Sequence, residues 1–291
     1  MKNLHKYFSQ SLIATAALLV GVSTAWAQVS LGSASGFSVL AGTNVTCTSG
    51  VVTGDVGVSP GGAVPFTNTG CTFGGAIPPA TNTAAVQARI DFLSAYTAVR
   101  SQVSSCVQLP GNLADQNLAP GVYCIDAVAK AGTLTLTGTS NDVWVFLVEG
   151  ALTGTNFSVA MAGGALPCNV YWAPTAAVTM TTSALKGNVL AGDAIGGSIT
   201  MTGGTLAGRA FSNIAVTMTD ANVIGCDSLS GGAGSTCKKD DHDDEDKDHN
   251  KCNQGVGNGS EGCDPGHSDK HHSSNDEDGG TPGNPGRKGD R

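Results

Sequence analysis

Val178-Thr179-Met180-Thr181, Ile199-Thr200-Met201-Thr202 and Val216-Thr217-Met218-Thr219 are three copies of one unit, apolar-Thr-Met-Thr. Thr133-Leu134-Thr135-Leu136-Thr137 is an earlier cousin. A second segment also repeats: Leu185-Lys186-Gly187-Asn188-Val189-Leu190-Ala191 aligns with Leu206-Ala207-Gly208-Arg209-Ala210-Phe211-Ser212, 21 residues on. Strand-like units that recur at intervals of 17–21 residues predict a β-solenoid, in which each coil buries its apolar side against the next.

Alternation assigns faces, because successive side chains of a strand point to opposite sides. If Val178/Met180, Ile199/Met201, Val216/Met218 and Leu134/Leu136 stack inside, one outer face carries Thr179, Thr181, Thr200, Thr202, Thr217 and Thr219. Nearer the other end it carries Thr133, Thr135 and Thr137. Coils roughly 4.7–4.9 Å apart would set these side chains in parallel files on a stiff plane. Corners of one form, T-x-x-polar, follow the runs: Thr137-Gly138-Thr139-Ser140, Thr153-Gly154-Thr155-Asn156, Thr202-Gly203-Gly204-Thr205 and Thr219-Asp220-Ala221-Asn222. Thr181-Thr182-Ser183-Ala184 is a degenerate member.

Earlier in the chain, Phe37–Leu40, Val51–Thr53 and Val56–Val58 read as short strands punctuated by Gly and Pro. Gly61–Pro79 has little periodicity and reads as an irregular cap. Thr81–Gln102 is the one convincing helix. Ala85, Ile90, Leu93, Ala95, Tyr96 and Val99 recur near helical spacing, and Thr81 or Asn82 can cap the start.

The chain has 291 residues, 41 of them Gly, with 13% charged, 5% aromatic and a formal net charge of -8. This suits short strands and tight turns rather than a helical bundle. An acidic chain is poorly matched to nucleic acid. Met1–Ala27 reads as a secretory signal: Lys2 and Lys6, the apolar Ser11–Val22, then Ala25-Trp26-Ala27 as an A-x-A cleavage site. No later segment can span a bilayer. Three parts follow: a 1–27 leader, a 28–236 body and a 237–291 tail.

Residues 28–236 carry five basic side chains (Arg89, Arg100, Lys130, Lys186, Arg209) and no histidine. That excludes Ser-His-Asp and Cys-His hydrolase chemistry and a His-ligated metal in the body. Cys47, Cys71, Cys106, Cys124, Cys168 and Cys226 form an even set that suggests disulfides in an exported protein. Sequence proximity favours Cys47–Cys71, Cys106–Cys124 and Cys168–Cys226 among 15 pairings. A metal cluster is the rival reading, weakened by the lack of C-x-x-C spacing. Lys186 and Arg209 could be read as basic catalytic residues of a polysaccharide lyase; a turn-bonding or solvated charge is the plainer reading. Asp55 reads as a turn residue that bonds its own backbone. The tail opens with a mixed charge block, Lys238–His249, expected to be a solvated linker. Cys252–Cys263 is a plausible bridge there, which leaves Cys237 over.

A file of outward threonines has two readings. Thr has good β propensity, and paired Thr residues stabilise sheets mildly, so the files could carry no ligand. Alternatively, methyls and hydroxyls on restricted rotamers order water. If that water matches a plane of ice, the face adsorbs to the crystal without pocket, charge or cofactor.

Several stretches carry a resemblance: Leu31-Gly32-Ser33-Ala34 with Phe37-Ser38-Val39-Leu40-Ala41-Gly42, Val52-Thr53-Gly54-Asp55-Val56-Gly57, Ala119-Pro120-Gly121-Val122-Tyr123, Asn141-Asp142-Val143-Trp144-Val145-Phe146, and Asn169-Val170-Tyr171-Trp172 through Gly208-Arg209-Ala210 to Met218. Over residues 30–226 the chain resembles the secreted microbial ice-binding proteins of the DUF3494 type. The resemblance implies a mainly β, right-handed, discontinuous β-solenoid with three faces and one long flanking α-helix. It implies ice adsorption through one flat face, as a monomer, with no enzyme activity, cofactor or metal. Some members are built on T-[AG]-x-[TN] corners, which Thr153–Asn156 and Thr202–Thr205 match; Thr219–Asn222 departs with Asp at its second place. The ice-contacting set expected from both lines is Thr135, Thr137, Thr153, Thr155, Asn156, Thr179, Thr181, Thr200, Thr202, Thr205, Thr217, Thr219 and Asn222. The protein is expected outside the cell, with the tail as a candidate attachment to the cell surface. An adhesive or structural solenoid is the first alternative, and a polysaccharide-active enzyme the second.

Overall fold

The computed structural model describes residues 29–229, apart from 62, 78–81 and 128. The leader, the charged tail with Cys237, Cys252 and Cys263, and the cap candidate Thr81 lie outside these residues. The two longest strands, β12 (Val178–Ala191) and β13 (Ile199–Ser212), show the plan. Each starts on one side of a coil, bends twice and ends on a third side. They pair in parallel from Val178↔Ile199 to Ala191↔Ser212, so the 21-residue repeat is one full turn of the coil.

Three parallel stacks result. The first contains β10 (Leu152–Ala162), β12, β13, β14 (Ala215–Thr219), β2 (Asn44–Thr53) and β4 (Phe66–Phe73), in that spatial order. The second contains the later parts of β4, β2, β13, β12 and β10, together with β15 (Asn222–Ile224), β8 (Lys130–Thr137) and β6 (Asn117–Leu118). The third contains β3 (Asp55–Val58), β1 (Phe37–Ala41), the ends of β13 and β12, β11 (Val170–Pro174), β9 (Trp144–Glu149), β7 (Gly121–Asp126) and β5 (Val107–Leu109).

The coil order is not the chain order. After β4, the helix α1 (Thr83–Arg100) returns the chain to the far end, and later coils build back until β14 and β15 meet β2. The coil holding β14 and β15 is completed on its third side by β1, which pairs with β13 through Val39↔Ala210 and Leu40↔Phe211. Both ends of the domain therefore share one turn.

Helix α1 covers the third stack. Asn82 caps it, its Oδ1 accepting the Ala84 N–H at 2.7 Å. Ala85, Ala88, Phe92, Ala95 and Val99 are buried along one side, against Leu40, Val145, Leu147, Leu190 and Phe211. Phe92 meets Phe211 edge-on at 5.6 Å. Of the expected helical face, Ala85, Ala95 and Val99 are buried, and Leu93 and Tyr96 pack half-buried beside them; Ile90 departs, 55% exposed, while Ala88 and Phe92 join the inner side. Three alanines let the helix lie close to a sheet that is apolar on both sides.

Inside the coil, Phe146 stacks on Trp172 at 4.1 Å, and both rings are fully buried. The buried indole N–H of Trp172 donates to the Lys186 carbonyl at 2.8 Å. Disulfides join Cys47–Cys71, Cys106–Cys124 and Cys168–Cys226, the pairs that proximity favours. Two readings change. Within Gly61–Pro79, expected to be irregular, Phe66–Phe73 is a regular coil paired residue for residue with β2. Asp55 does not close a local turn; its Oδ1 accepts the N–H of Ala76, 21 residues on, at 2.7 Å.

Candidate functional site

The first stack presents two unbroken files of threonine. Pairing sets Thr153, Thr179, Thr200, Thr217, Thr46 and Thr67 side by side in one file. It sets Thr155, Thr181, Thr202, Thr219, Thr48 and Thr69 in the other. None of these twelve is buried. The alternate positions face inward: Val45, Cys47, Leu152, Val178, Met180, Ile199, Met201, Val216 and Met218 are no more than 2% exposed. Six coils at the usual strand separation give a plane about 24 Å long, with the two files about 6.6 Å apart along the strands.

A corner opened by a positive-φ residue borders the plane in every coil. Asn156, Thr182, Gly203, Asp220, Ser49 and Gly70 follow the second-file threonines, with φ of 53°, 45°, 67°, 50°, 58° and 84°. A left-handed residue turns the chain within one step, which glycine, Asn and Asp tolerate and a β-branched residue does not. Thr182 adopts it nonetheless, and its hydroxyl donates to Asn156 Oδ1 at 2.7 Å in the next coil. The repetition of this corner makes the border of the plane straight.

Among the described residues, Thr46 alone of the twelve has its hydroxyl engaged by a protein group, accepting from Asn44 Nδ2 at 3.3 Å. The remaining hydroxyls therefore have their donor and acceptor capacity available to water. No side chain in either file carries charge. Burial of the alternate residues and parallel pairing on both sides hold the inner strands of the plane stiff.

The other two sides differ. Helix α1 covers the third stack. The second stack is mixed, with Ser158, Ala184, Thr205 and Asn222 in one line and Lys186, the buried Ala207 and Ile224 in the next.

Of the thirteen residues expected from the sequence, Thr153, Thr155, Thr179, Thr181, Thr200, Thr202, Thr217 and Thr219 come together on the plane. Asn156 sits at its corner, while Thr205 and Asn222 open the second stack. Thr133, Thr135 and Thr137 lie on the second stack, paired with Ser158, Ala160 and Ala162. They share the threonine alternation but not the face, because β8 enters the coil beyond the corner. The T-x-x-polar alignment is also out of step: Thr155, not Thr153, is in register with Thr181 and Thr202.

Thr46, Thr48, Thr67 and Thr69 escaped the sequence reading. Their signal is present in Val45-Thr46-Cys47-Thr48 and, 21 residues later, Phe66-Thr67-Asn68-Thr69. Cys and Asn stand there in the place of the Met that marks the other copies.

The basic residues of the second repeat serve structure. Arg209 is buried, donating from Nε and Nη2 to the Ser35 carbonyl and from Nη1 to Asn188 Oδ1. Lys186 is half-buried on the second stack, and its carbonyl receives the Trp172 indole. Among the described residues, no three His, Cys, Asp or Glu side chains are placed to hold a metal ion, and no helix is long and apolar enough to cross a membrane.

Comparison with known proteins agrees with this geometry. The chain is 31% identical over 216 residues to ice-binding protein K3-B1 of Typhula ishikariensis, covering 65% of this chain and 88% of that one. It is 35% identical over 207 residues to an ice-binding protein of Nostoc sp. (strain HG1), covering 67% of this chain and 72% of the relative. Among solved structures, an ice-binding protein from an Antarctic biological consortium superposes with a TM-score of 0.56 at 30% identity, covering 70% of this chain and 93% of that one. One from Arctic yeast gives a TM-score of 0.58 at 26% identity, covering 67% and 93%. Residues 39–224 match the Ice-binding-like family, and the chain belongs to it.

Proposed function

We propose that this protein adsorbs to ice through the first stack, and that the twelve threonines are the contacting surface. One observation carries the reading: six coils in unbroken register present the same Thr-x-Thr pair, unburied and uncharged, while the other two sides are covered or irregular. The methyls cage water and the hydroxyls anchor it, so the ordered layer merges with the crystal. Stiffness limits the entropy lost on binding. Adsorbed molecules pin the front, which curves between them, and growth and recrystallisation slow. The protein acts as a monomer with no catalytic step, since a single chain holds the whole plane. We further propose that the 1–27 leader exports it and that the 237–291 tail can hold it at the cell surface.

A nanolitre osmometer tests this directly. Faceted crystals and thermal hysteresis are expected of the wild type and equally of Thr135→Tyr on the second stack. Absence of shaping at high concentration, or its loss in Thr135→Tyr, would falsify the assignment of the face.

Adsorption should also be indifferent to pH. The files contain no titratable group, so hysteresis should stay constant between about pH 5 and 9. Stability has an acid limb of its own. The Asp91 carboxylate accepts the Ser33 hydroxyl and N–H, and Gln87, which hold its pKa below the usual value. Asp193 is lowered in the same way by the Gly196 and Ile195 N–H groups. A lowered carboxylate stabilises the fold above its unfolded pKa of about 3.9, and that contribution fades as pH falls through the folded value. Neither side chain is buried, so solvent screening keeps the effect small. Melting temperature should begin to slip only below about pH 4, and hysteresis that changes near neutrality would contradict the charge-free plane.

A further inference from the structure

The threonine plane is assembled from two blocks of chain that fold far apart in sequence. Eight threonines belong to β10, β12, β13 and β14, and four to β2 and β4, on the other side of the helix. Their relative position along the strand direction is set where both chain ends share a coil. A slip of one residue there would turn the second block's threonines inward, and a slip of two would keep the face but break both files.

At this junction sits a buried polar cluster that the ice surface never touches. Arg209, on β13, is 7% exposed. Its guanidinium donates from Nε at 3.1 Å and from Nη2 at 2.7 Å to the carbonyl of Ser35, two residues before β1 and 174 residues away in the chain. Nη1 donates at 3.2 Å to Asn188 Oδ1 in the preceding coil. Asn188, itself fully buried, donates from Nδ2 to the Cys168 carbonyl at 2.8 Å and the Val170 carbonyl at 3.2 Å. Cys168 is disulfide-bonded to Cys226, just after β15. One guanidinium thus links the entry into β1 to the coil beneath it, and Asn188 with the Cys168–Cys226 disulfide extends the cluster to the exit from β15. Tyr171 adds a second hold on the incoming chain, its hydroxyl donating to the Val29 carbonyl at 3.3 Å.

We propose that Arg209, seated on Asn188, is a positioning residue for ice adsorption: it fixes where β1 starts along β13 and so keeps the Thr46, Thr48, Thr67 and Thr69 block in file with the other eight threonines. A guanidinium suits the task because its planar fork engages two acceptors in fixed directions, whereas a lysine ammonium is a point donor. The inference rests on the threonine plane being the ice contact.

The test is a set of double variants assayed near 0 °C, where folded protein is confirmed by circular dichroism. In the wild-type background, Thr48→Tyr and Thr179→Tyr should each lower hysteresis about fivefold or more. Arg209→Gln should lower it about threefold or more with the dichroism unchanged. Adding Thr48→Tyr to Arg209→Gln should then cost nothing further, while adding Thr179→Tyr should still cost its full amount. Arg209→Lys, which retains a donor for the Ser35 carbonyl, should recover part of the activity. If Arg209→Gln does not fold, Arg209→Lys carries the same comparison. A merely stabilising arginine would lower the melting temperature and leave the Thr48→Tyr penalty intact. That additivity, or full hysteresis in folded Arg209→Gln, overturns the proposal. A damaging Thr200→Tyr with a harmless Thr48→Tyr also overturns it while the plane survives; if both are harmless, the plane itself falls.

Discussion

Thr200→Tyr should abolish ice shaping and cut thermal hysteresis at least about tenfold, with the fold intact. Thr200 lies in the third coil of six, with Thr179 and Thr217 on either side in register. The same strand carries Thr202 on the plane and Ile199 and Met201 inside. A tyrosine ring cannot retreat into a close-packed interior, nor sideways between threonines roughly 4.7–4.9 Å away. It must stand above the plane. A crystal face cannot deform to admit it, so neighbouring coils lose contact together. The loss is therefore much larger than that of one threonine in twelve. The cost to stability is slight, because Tyr is favoured on strands and the site faces solvent. Thr200→Val separates the two halves of the chemistry: it keeps methyls and removes one hydroxyl, so a partial loss is expected. Faceted crystals grown with folded Thr200→Tyr would move the adsorption surface elsewhere.

How much of this plane could be read from the chain depended on what the repeat displays. In the copies at 178, 199 and 216, period-two alternation and a shared Met made the unit visible, and the structure pairs them one to one. The spacing of Gly187 and Gly208 likewise announced a turn of 21 residues. Alternation says which residues share a side of their own strand, however, and not which side of the coil the strand occupies. Thr135 and Thr137 show the difference: identical pattern, other face. Coil position depends on where corners fall, and a corner is signalled by a backbone angle that Asn156, Thr182, Gly203, Asp220, Ser49 and Gly70 reach with five kinds of side chain. Register between distant blocks is less legible still. Val45 and Phe66 open good copies of the unit, yet nothing local places them beside Val216; the long return through α1 and the buried Arg209 junction do that. Helix α1 was visible as a helix, and so was most of its buried side, in Ala85, Ala95 and Val99; Ala88 and Phe92 were not, because they matter only against the particular sheet they meet.

The corner between the second and third sides supports a second large effect, this time on stability. Gly208 has φ 151° and is paired with Gly187, φ 118°, in the neighbouring coil. A Cβ on Gly208 would stand 2.0 Å from the Gly187 carbonyl oxygen and 2.5 Å from its carbonyl carbon. Those atoms are backbone within a parallel ladder, so no rotamer change relieves the overlap; the two coils must part. Gly208→Ala should therefore cost about 3 kcal/mol or more. For a domain of this size that is a fall of about 10 °C in melting temperature. Gly70 provides the comparison within the same protein. It also holds a left-handed angle, φ 84°, but a Cβ there meets nothing within 4 Å. Gly70→Ala should lose only the dihedral penalty, about 1–2 kcal/mol, and Gly70→Asn less, since asparagine tolerates that conformation. The order Gly208→Ala far below Gly70→Ala, in thermal melts of the whole chain, would show that close approach of backbones holds the coils at their spacing. Equal melting temperatures would show that the coils yield, and a plane whose coils yield could not hold its threonines at the constant interval that matching ice requires.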